Sequence, residues 1–161
     1  MNQATNPDLY ESIDCIVRYN TIDNTDYAGV GFAAALRGQV YGNTLTNTGM
    51  IGQGSIFFAS VDHYDISPTE PIRTTPNKDA TIRNNVIART LARTRPMVYL
   101  ADDSFIGSLI MDYNQYDNAG GDLAFWDVRN WEVTGGFAGN LKQWRVYMGV
   151  DTNSTDRGSQ P

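Results

Sequence analysis

The chain has 161 residues, a formal net charge of -6 and 41% hydrophobic residues. This length fits one domain, and this composition excludes a wholly disordered chain. The longest apolar run, Val30 to Leu36, has seven residues. Because a bilayer span needs roughly 20 apolar residues, we expect no membrane span. The first residues lack the basic and apolar regions of a secretory signal, so none is expected.

Residue usage favours strands and turns over helices. The chain has three Glu and two Lys, the residues that usually cover an exposed helix surface. Asp, Asn, Gly and Thr are abundant instead, and they favour turns, caps or strands. The composition therefore predicts a mainly β protein.

The N-terminal half alternates between polar segments and short apolar ones. Residues 1–11 are predicted to form an extended arm. Alternating apolar and polar residues predict strands at 12–19 and 29–40, and a more continuous apolar run predicts a buried strand at 55–61. A loop is expected at 41–50, and the Pro-rich stretch 62–78 is expected to be a long connection.

Residues 79–94 allow two interpretations. Asp79 could cap a helix in which Ile82 and Val86 are spaced four apart. The arginines, however, are all at odd positions, which is the period of a strand. Both helix and strand remain open for this segment.

The C-terminal half reads as strands. Residues 97–101 and 104–111 around Asp102-Asp103 predict a β-hairpin, and further strands are expected at 123–128 and 130–133. The alternation of Trp144, Val146 and Met148 predicts a strand at 143–150, with Trp144 in the core. Residues 151–161 are expected to be a polar tail, and no internal repeat is evident.

These elements predict an all-β fold, with about eight strands in an antiparallel β-sandwich or jelly roll and one helix at most, at 79–94. A small barrel is the alternative. The predicted organisation is an N-terminal arm at 1–11, a single domain at 12–150 and a C-terminal tail at 151–161.

The sequence offers no catalytic cluster, so we predict no enzymatic activity, no metal site and no cofactor. One histidine, His63, and one cysteine, Cys15, cannot build a multi-ligand zinc site. Apolar neighbours predict that Cys15 is buried. Two alternatives stay open: a Ca²⁺ site in the oxygen-rich segment 112–122, and a glycosidase pair among the many Asp residues.

Among the three tryptophans, Trp131 is the best candidate for an exposed, ligand-facing aromatic residue. It stands between Asn130 and Glu132. Together with nearby tyrosines it would suit a carbohydrate-binding module or lectin, in which aromatic rings stack against sugars.

Charge is distributed unevenly along the chain. Residues 73–95 carry a net charge of +5, whereas 1–72 carry -6 and 96–161 carry -5. Overall acidity disfavours nucleic-acid binding, which depends on a basic surface. We therefore predict a protein interface made by the arginines of this stretch, because arginine suits interface pairing. They are Arg83, Arg89, Arg93 and Arg95.

In composition and strand pattern the chain resembles virion structural proteins of viruses and phages: capsid, decoration and tail proteins. The arms, the strands and the loops 41–50 and 112–122 carry this resemblance, and no specific motif does. It implies a virion-located capsid shell or decoration subunit whose partners are other copies of itself and other virion proteins. A carbohydrate-binding β-sandwich is the alternative function.

Overall fold

The chain folds into successive coils that stack along one axis. The computed structural model describes residues 9–63, 73–121, 125–129 and 131–157, without the side chains of 73, 131 and 134. The predicted arm therefore lies mostly outside the described residues. Coil 1 contains β1 (Ser12–Ile13), β2 (Ile16–Arg18), β3 (Thr21–Asp23) and β4 (Val30–Ala33). Coil 2 contains β5 (Ala35–Leu36), β6 (Gln39–Tyr41), β7 (Thr44–Thr46) and β8 (Ile56–Ala59).

A hairpin separates coil 2 from coil 3. Its strands are β9 (Val61–His63) and β10 (Arg73–Thr75), which pair antiparallel. Coil 3 contains β11 (Asn77–Arg83), β12 (Val86–Ala88) and β13 (Val98–Leu100). Coil 4 contains β14 (Phe105–Asp112), β15 (Gln115–Asp117) and β16 (Phe125–Asp127). The chain continues through α1 (Trp131–Thr134), β17 (Phe137–Gly139), α2 (Leu141–Met148) and β18 (Thr155–Asp156).

Equivalent strands of neighbouring coils pair in parallel and form three long sheets. The first sheet contains β1, β2, β5, β6, β11 and β14; the second contains β3, β7, β12, β15 and β18; the third contains β4, β8, β13, β16 and β17. In these three sheets only the β16–β17 pair, among the described strands, is antiparallel. The architecture is a three-sheet parallel β-solenoid, in which each coil contacts only its neighbours.

The mainly β prediction is confirmed, and the antiparallel sandwich or jelly roll is wrong. Strands β13 and β14, predicted to form a hairpin, pair instead with the neighbouring coils. Segment 79–94 contains parts of β11 and all of β12, so the strand interpretation is correct there and the helix is not. The strands predicted at 143–150 and 130–133 are wrong, because Leu141–Met148 forms α2 and Trp131–Thr134 forms α1.

Alternation along the short strands points every second side chain into the solenoid, where equivalent apolar residues of successive coils stack in columns. The second sheet shows this clearly, since Ile22, Leu45, Ile87 and Tyr116 occupy one register position. The third sheet adds Val30, Ile56, Val98 and Phe125 at another. These columns belong to one continuous core, as expected when identical positions of successive coils stack.

The corner between the first and second sheets is built from a stacked asparagine ladder. Asn20, Asn43, Asn85 and Asn114 follow the strands of coils 1 to 4 in turn. The Oδ1 of each later asparagine accepts the backbone N–H of the earlier one, at 2.9, 3.0 and 3.1 Å. The ladder pairs corner backbone groups that no strand could pair, and this stabilises each turn.

The second helix covers the C-terminal end of the solenoid. Asn140 and Gln143 form a capping box at its start, and Gly149 ends it in the left-handed region. The buried Trp144 ring stacks on Phe125 of coil 4 at 5.2 Å between centroids, so its predicted place in the core is confirmed. A helix at this position shields the last coil from water, as the end of a solenoid requires.

Residues 151–157, assigned above to the polar tail, take part in this cap. The fully buried Asp151 carboxylate accepts hydrogen bonds from Trp144 Nε1, Tyr116 Oη, Asn114 Nδ2 and Ser154 Oγ. Strand β18 then adds a fifth strand to the second sheet by pairing with β15.

Candidate functional site

An aromatic column runs along the outer face of the third sheet. Val98 and Leu100 point into the core, so Tyr99 between them faces outward. Phe57 of coil 2 and Trp126 of coil 4 occupy the same register position as Tyr99. Ring centroids are 5.3 Å apart between Phe57 and Tyr99 and 5.8 Å apart between Tyr99 and Trp126. We call these three residues the aromatic column.

The column opens at its C-terminal end into a groove of about 390 Å³. We call it the aromatic groove. The described side chains that line it come from β13, the turn after it, β16, α1 and β17. They are Tyr99, Asp102, Trp126, Val128, Glu132, Phe137 and Ala138.

The far wall of the groove is held by α2. Phe137 stacks on Tyr147 at 4.6 Å and lies 5.6 Å from the buried Trp144 ring. Its ring is therefore anchored to the C-terminal cap while it lines the groove. Because the groove depends on packed secondary structure, it is formed before any ligand arrives.

Beneath the groove, an ion pair fixes the turn that carries Val128. Arg129 Nη2 lies 2.6 Å from Oδ2 of Asp127, whose side chain is fully buried. The Tyr147 hydroxyl donates to the same oxygen at 3.3 Å. Partial burial, and then the Asp127 charge, raise the pKa of Tyr147. The phenol therefore stays protonated and keeps donating at neutral pH.

The two charged side chains that line the groove are carboxylates. Asp102 and Glu132 are both exposed. Asp102 Oδ1 accepts a hydrogen bond from the backbone of Asp103 at 3.1 Å, which leaves its other oxygen for a ligand. No cationic side chain stands among the described lining residues. The groove thus combines ring faces with hydrogen-bond acceptors of negative charge.

The four arginines predicted as an interface do not form one surface. Arg83 ends β11, between the first and second sheets, and its guanidinium lies over the Tyr41 ring at 5.6 Å. Arg93 and Arg95 are exposed in the connection between β12 and β13. Arg89 is 3% exposed and lies inside the fold.

The buried Arg89 side chain links two connecting segments by hydrogen bonds. Its guanidinium donates to the backbone carbonyls of Arg95, Pro96 and Thr48 at 2.5, 2.8 and 3.2 Å. Burial, and then the nearby Arg93 charge, lower its pKa to about 10. It therefore remains charged at neutral pH and ties the connection 89–97 to the loop after β7.

Trp131, the predicted ligand-facing aromatic residue, is the first residue of α1. Its side chain lies outside the described part of the structure. Glu132, which lines the groove, follows it directly. The residues that sequence reasoning missed are Phe57, Tyr99, Trp126, Asp102 and Phe137. For Phe57, Tyr99 and Trp126 the only signal is an outward register position shared by strands that are far apart in sequence. Asp102 lies in a turn and Phe137 pairs with the buried Asp127, so neither carries this signal.

The described residues contain no group of three His, Cys, Asp or Glu side chains able to hold a metal ion. The Ca²⁺ site considered for the segment 112–122 would use oxygen atoms of these residues. Among them, the Asn114 side chain takes part in the asparagine ladder, Asp117 accepts a hydrogen bond from the backbone of Ala119, and residue 122 lies outside the described part of the chain.

Cys15 is exposed, so its predicted burial is wrong. It lies between β1 and β2 of coil 1, and these two strands pair on one side only among the described strands.

Within the described residues, neither helix has the length and apolar character needed to cross a bilayer.

Comparison with family models, curated protein sequences and solved structures found no match to this chain.

Proposed function

We propose that this chain binds carbohydrate, with the glycan lying along the aromatic column and ending in the aromatic groove. The observation that carries this proposal is the column itself, in which three outward aromatic residues occupy one register position on consecutive coils. The alternative function considered from the sequence was also carbohydrate binding, although through Trp131 and an antiparallel sandwich.

The groove has the chemistry that sugars require. A pyranose has apolar C–H faces that pack against aromatic rings and a rim of hydroxyls that donate to carboxylates. Tyr99, Trp126 and Phe137 supply the rings, and Asp102 and Glu132 supply the acceptors. Apolar lining with a few polar groups is the usual composition of a ligand site, and about 390 Å³ falls within its usual size.

The geometry favours an elongated ligand. Neighbouring parallel strands lie about 4.8 Å apart, so each coil advances the ring positions by that distance along the solenoid. Gly31 and Ala138 occupy the same register position before Phe57 and after Trp126. The small Gly31 leaves the N-terminal end of the column open, so a glycan longer than one sugar can extend past Phe57, and the small Ala138 leaves room for the groove at the other end.

Truncating a ring of the aromatic column should weaken glycan binding. We expect Trp126→Ala and Tyr99→Ala to weaken glycan affinity by about fivefold to a hundredfold, the range for truncating an aromatic anchor. The matched control is Tyr27→Ala, which truncates an aromatic residue that is 63% exposed elsewhere. A glycan array identifies the ligand, and titration calorimetry measures the variants. Absence of binding to every glycan, or equal loss in all three variants, would refute the proposal.

A second candidate is the virion structural role that the sequence suggested, through contacts with other copies and other virion proteins. The specific observation favouring it is coil 1. Among the described strands, β1 to β4 pair on one side only, and outward side chains such as Ile13 and Ile16 are 44% and 50% exposed. Edge strands with free backbone groups are templates for pairing with another chain.

The assembly role predicts oligomers that respond to salt. Light scattering after gel filtration, at low and high salt, measures the mass of the wild type and of the double variant Arg93→Glu, Arg95→Glu. We expect oligomers that salt weakens and that the double variant reduces, because exposed charge pairs are screened. A monomer at every salt concentration would exclude this role for the isolated chain.

A further inference from the structure

We infer that the glycan bound at the aromatic groove carries protonated amino groups, as glucosamine oligomers do. This inference rests on the proposed carbohydrate function and specifies its ligand class. It depends on two independent features of the groove, namely the sign of its charge and the position of its aromatic rings.

The first feature is charge complementarity. Both charged lining side chains, Asp102 and Glu132, are carboxylates, and no Lys or Arg is among the described lining residues. A glycan that carries uronic acids would place its own carboxylates beside these two groups, and like charges repel. A glycan that carries ammonium groups would gain attraction from the same two residues.

The second feature is the set of ring faces beside those carboxylates. Tyr99, Trp126 and Phe137 line the same groove as Asp102 and Glu132. An ammonium group over an aromatic face is attracted by the ring's electron density, most strongly by tryptophan. A neutral sugar stacks on the rings and donates its hydroxyls to the carboxylates, whereas an amino sugar adds the attraction of its ammonium groups to both.

The test compares three glycan oligomers of equal length: glucosamine, its neutral N-acetylated form, and galacturonate. Titration calorimetry at low salt, at a mildly acidic pH where both the glucosamine amines and the carboxylates are charged, measures each against the wild-type protein. We expect the glucosamine oligomer to bind about three- to tenfold more tightly than the N-acetylated one, as two exposed charge pairs allow. The galacturonate oligomer should bind least. Added salt should reduce the glucosamine preference and leave the N-acetylated affinity nearly unchanged.

Variants separate this inference from the function on which it rests. The double variant Asp102→Asn, Glu132→Gln should abolish the preference for glucosamine, because it removes both negative charges while each amide keeps an oxygen that can accept from a sugar hydroxyl. The matched control is Asp103→Asn, an exposed neighbour whose side chain is not among those lining the groove. Asparagine tolerates the left-handed backbone that Asp103 adopts.

The outcomes are distinct. Equal or tighter binding of the N-acetylated or galacturonate oligomer would overturn the amino-sugar inference and leave carbohydrate binding standing. A glucosamine preference that survives the double variant would also overturn it. Binding of none of the three oligomers, together with a blank glycan array, would overturn the proposed function as well.

Discussion

Substitution of Asn85 tests whether the corner ladder of asparagines stabilises the stacking of the coils. The Asn85 side chain is fully buried between coils 2 and 4. Its Oδ1 accepts from the backbone N–H of Asn43 at 3.0 Å, and its Nδ2 donates to Val40 O and Asn114 Oδ1, each at 3.0 Å. Asn85→Ala would leave the Asn43 N–H and the Val40 carbonyl without that partner, whereas Asn114 Oδ1 keeps the backbone N–H of residue 85. Each buried unpaired group costs about 1–3 kcal/mol.

We therefore expect Asn85→Ala to lower the free energy of unfolding by about 3–5 kcal/mol, a large share of the 5–15 kcal/mol typical of a domain. The chain supplies a matched control at the end of the same ladder. Asn20 is exposed, and its side chain donates to Arg18 O and Asn43 Oδ1 where water can replace it. Asn20→Ala should cost less than about 1 kcal/mol.

Urea denaturation followed by circular dichroism measures both variants, and equal slopes would show that the same surface unfolds in each. Hydrogen exchange of the Asn43 amide reports the local effect, since this N–H loses its acceptor in Asn85→Ala only. Equal destabilisation by the two substitutions would refute the ladder's role. So would full protection of the Asn43 amide in Asn85→Ala.

Two further predictions concern buried charges. Burial raises the pKa of Asp151, so its contribution to stability is largest at acid pH and falls as the pH rises from about 3.9 through the raised value. Asp151→Asn should remove this pH dependence. It should also weaken the C-terminal cap, because both carboxylate oxygens of Asp151 accept hydrogen bonds and an amide has only one accepting oxygen. Urea titrations at several pH values measure the difference, and parallel pH profiles of the variant and the wild type would contradict the prediction. Arg89→Lys should lower the melting temperature, because a lysine has fewer donors for the carbonyls of Pro96 and Thr48. An unchanged melting temperature would contradict the role of Arg89 in holding the connection 89–97 in place. Because the pKa of Arg89 is about 10, its charge should give no pH dependence near neutrality, and stability should rise only as the pH passes that value.

Strand alternation was predictable from the sequence, but the partners of the strands were not. Val98 and Leu100 were correctly placed in a strand, and the Asp102-Asp103 turn after them is real. A turn between two strands is typical of a hairpin, yet the same residues here carry the chain from the third sheet to the first. Parallel pairing joins residues one coil apart, and local sequence does not reveal that distance.

The repeat was hidden by insertions. The ladder asparagines 20, 43, 85 and 114 are separated by 23, 42 and 29 residues. The long interval contains the β9–β10 hairpin and its connection. A search for self-similarity expects a fixed period, so a solenoid whose coils differ this much in length escapes it.

Helix α2 was wrongly predicted as a strand, because apolar alternation is weak evidence in a short segment. Trp144, Val146 and Met148 alternate with polar residues, which predicts a strand, but Val146 is 86% exposed. Asn140 and Gln143 form a capping box, a helix signal that the prediction did not use. In a segment of eight residues, caps are better evidence than periodicity, because three apolar residues alternate easily by chance.

The position of the aromatic groove follows from the alternation of inward and outward side chains along the strands of the solenoid. Inward positions such as Val98 must fit the coils above and below, so packing restricts them. Outward positions such as Tyr99 and Trp126 meet no such demand, and a large aromatic residue there exposes apolar surface without a need from folding. The regular parallel stacking ends at β17, which returns antiparallel to β16 and brings α1 and Phe137 beside Trp126. The groove therefore forms where an unconstrained face meets the end of the repeat, and its side chains can change while the core stays intact. This separation of roles leaves the three rings in register on that face available for the ligand binding proposed above.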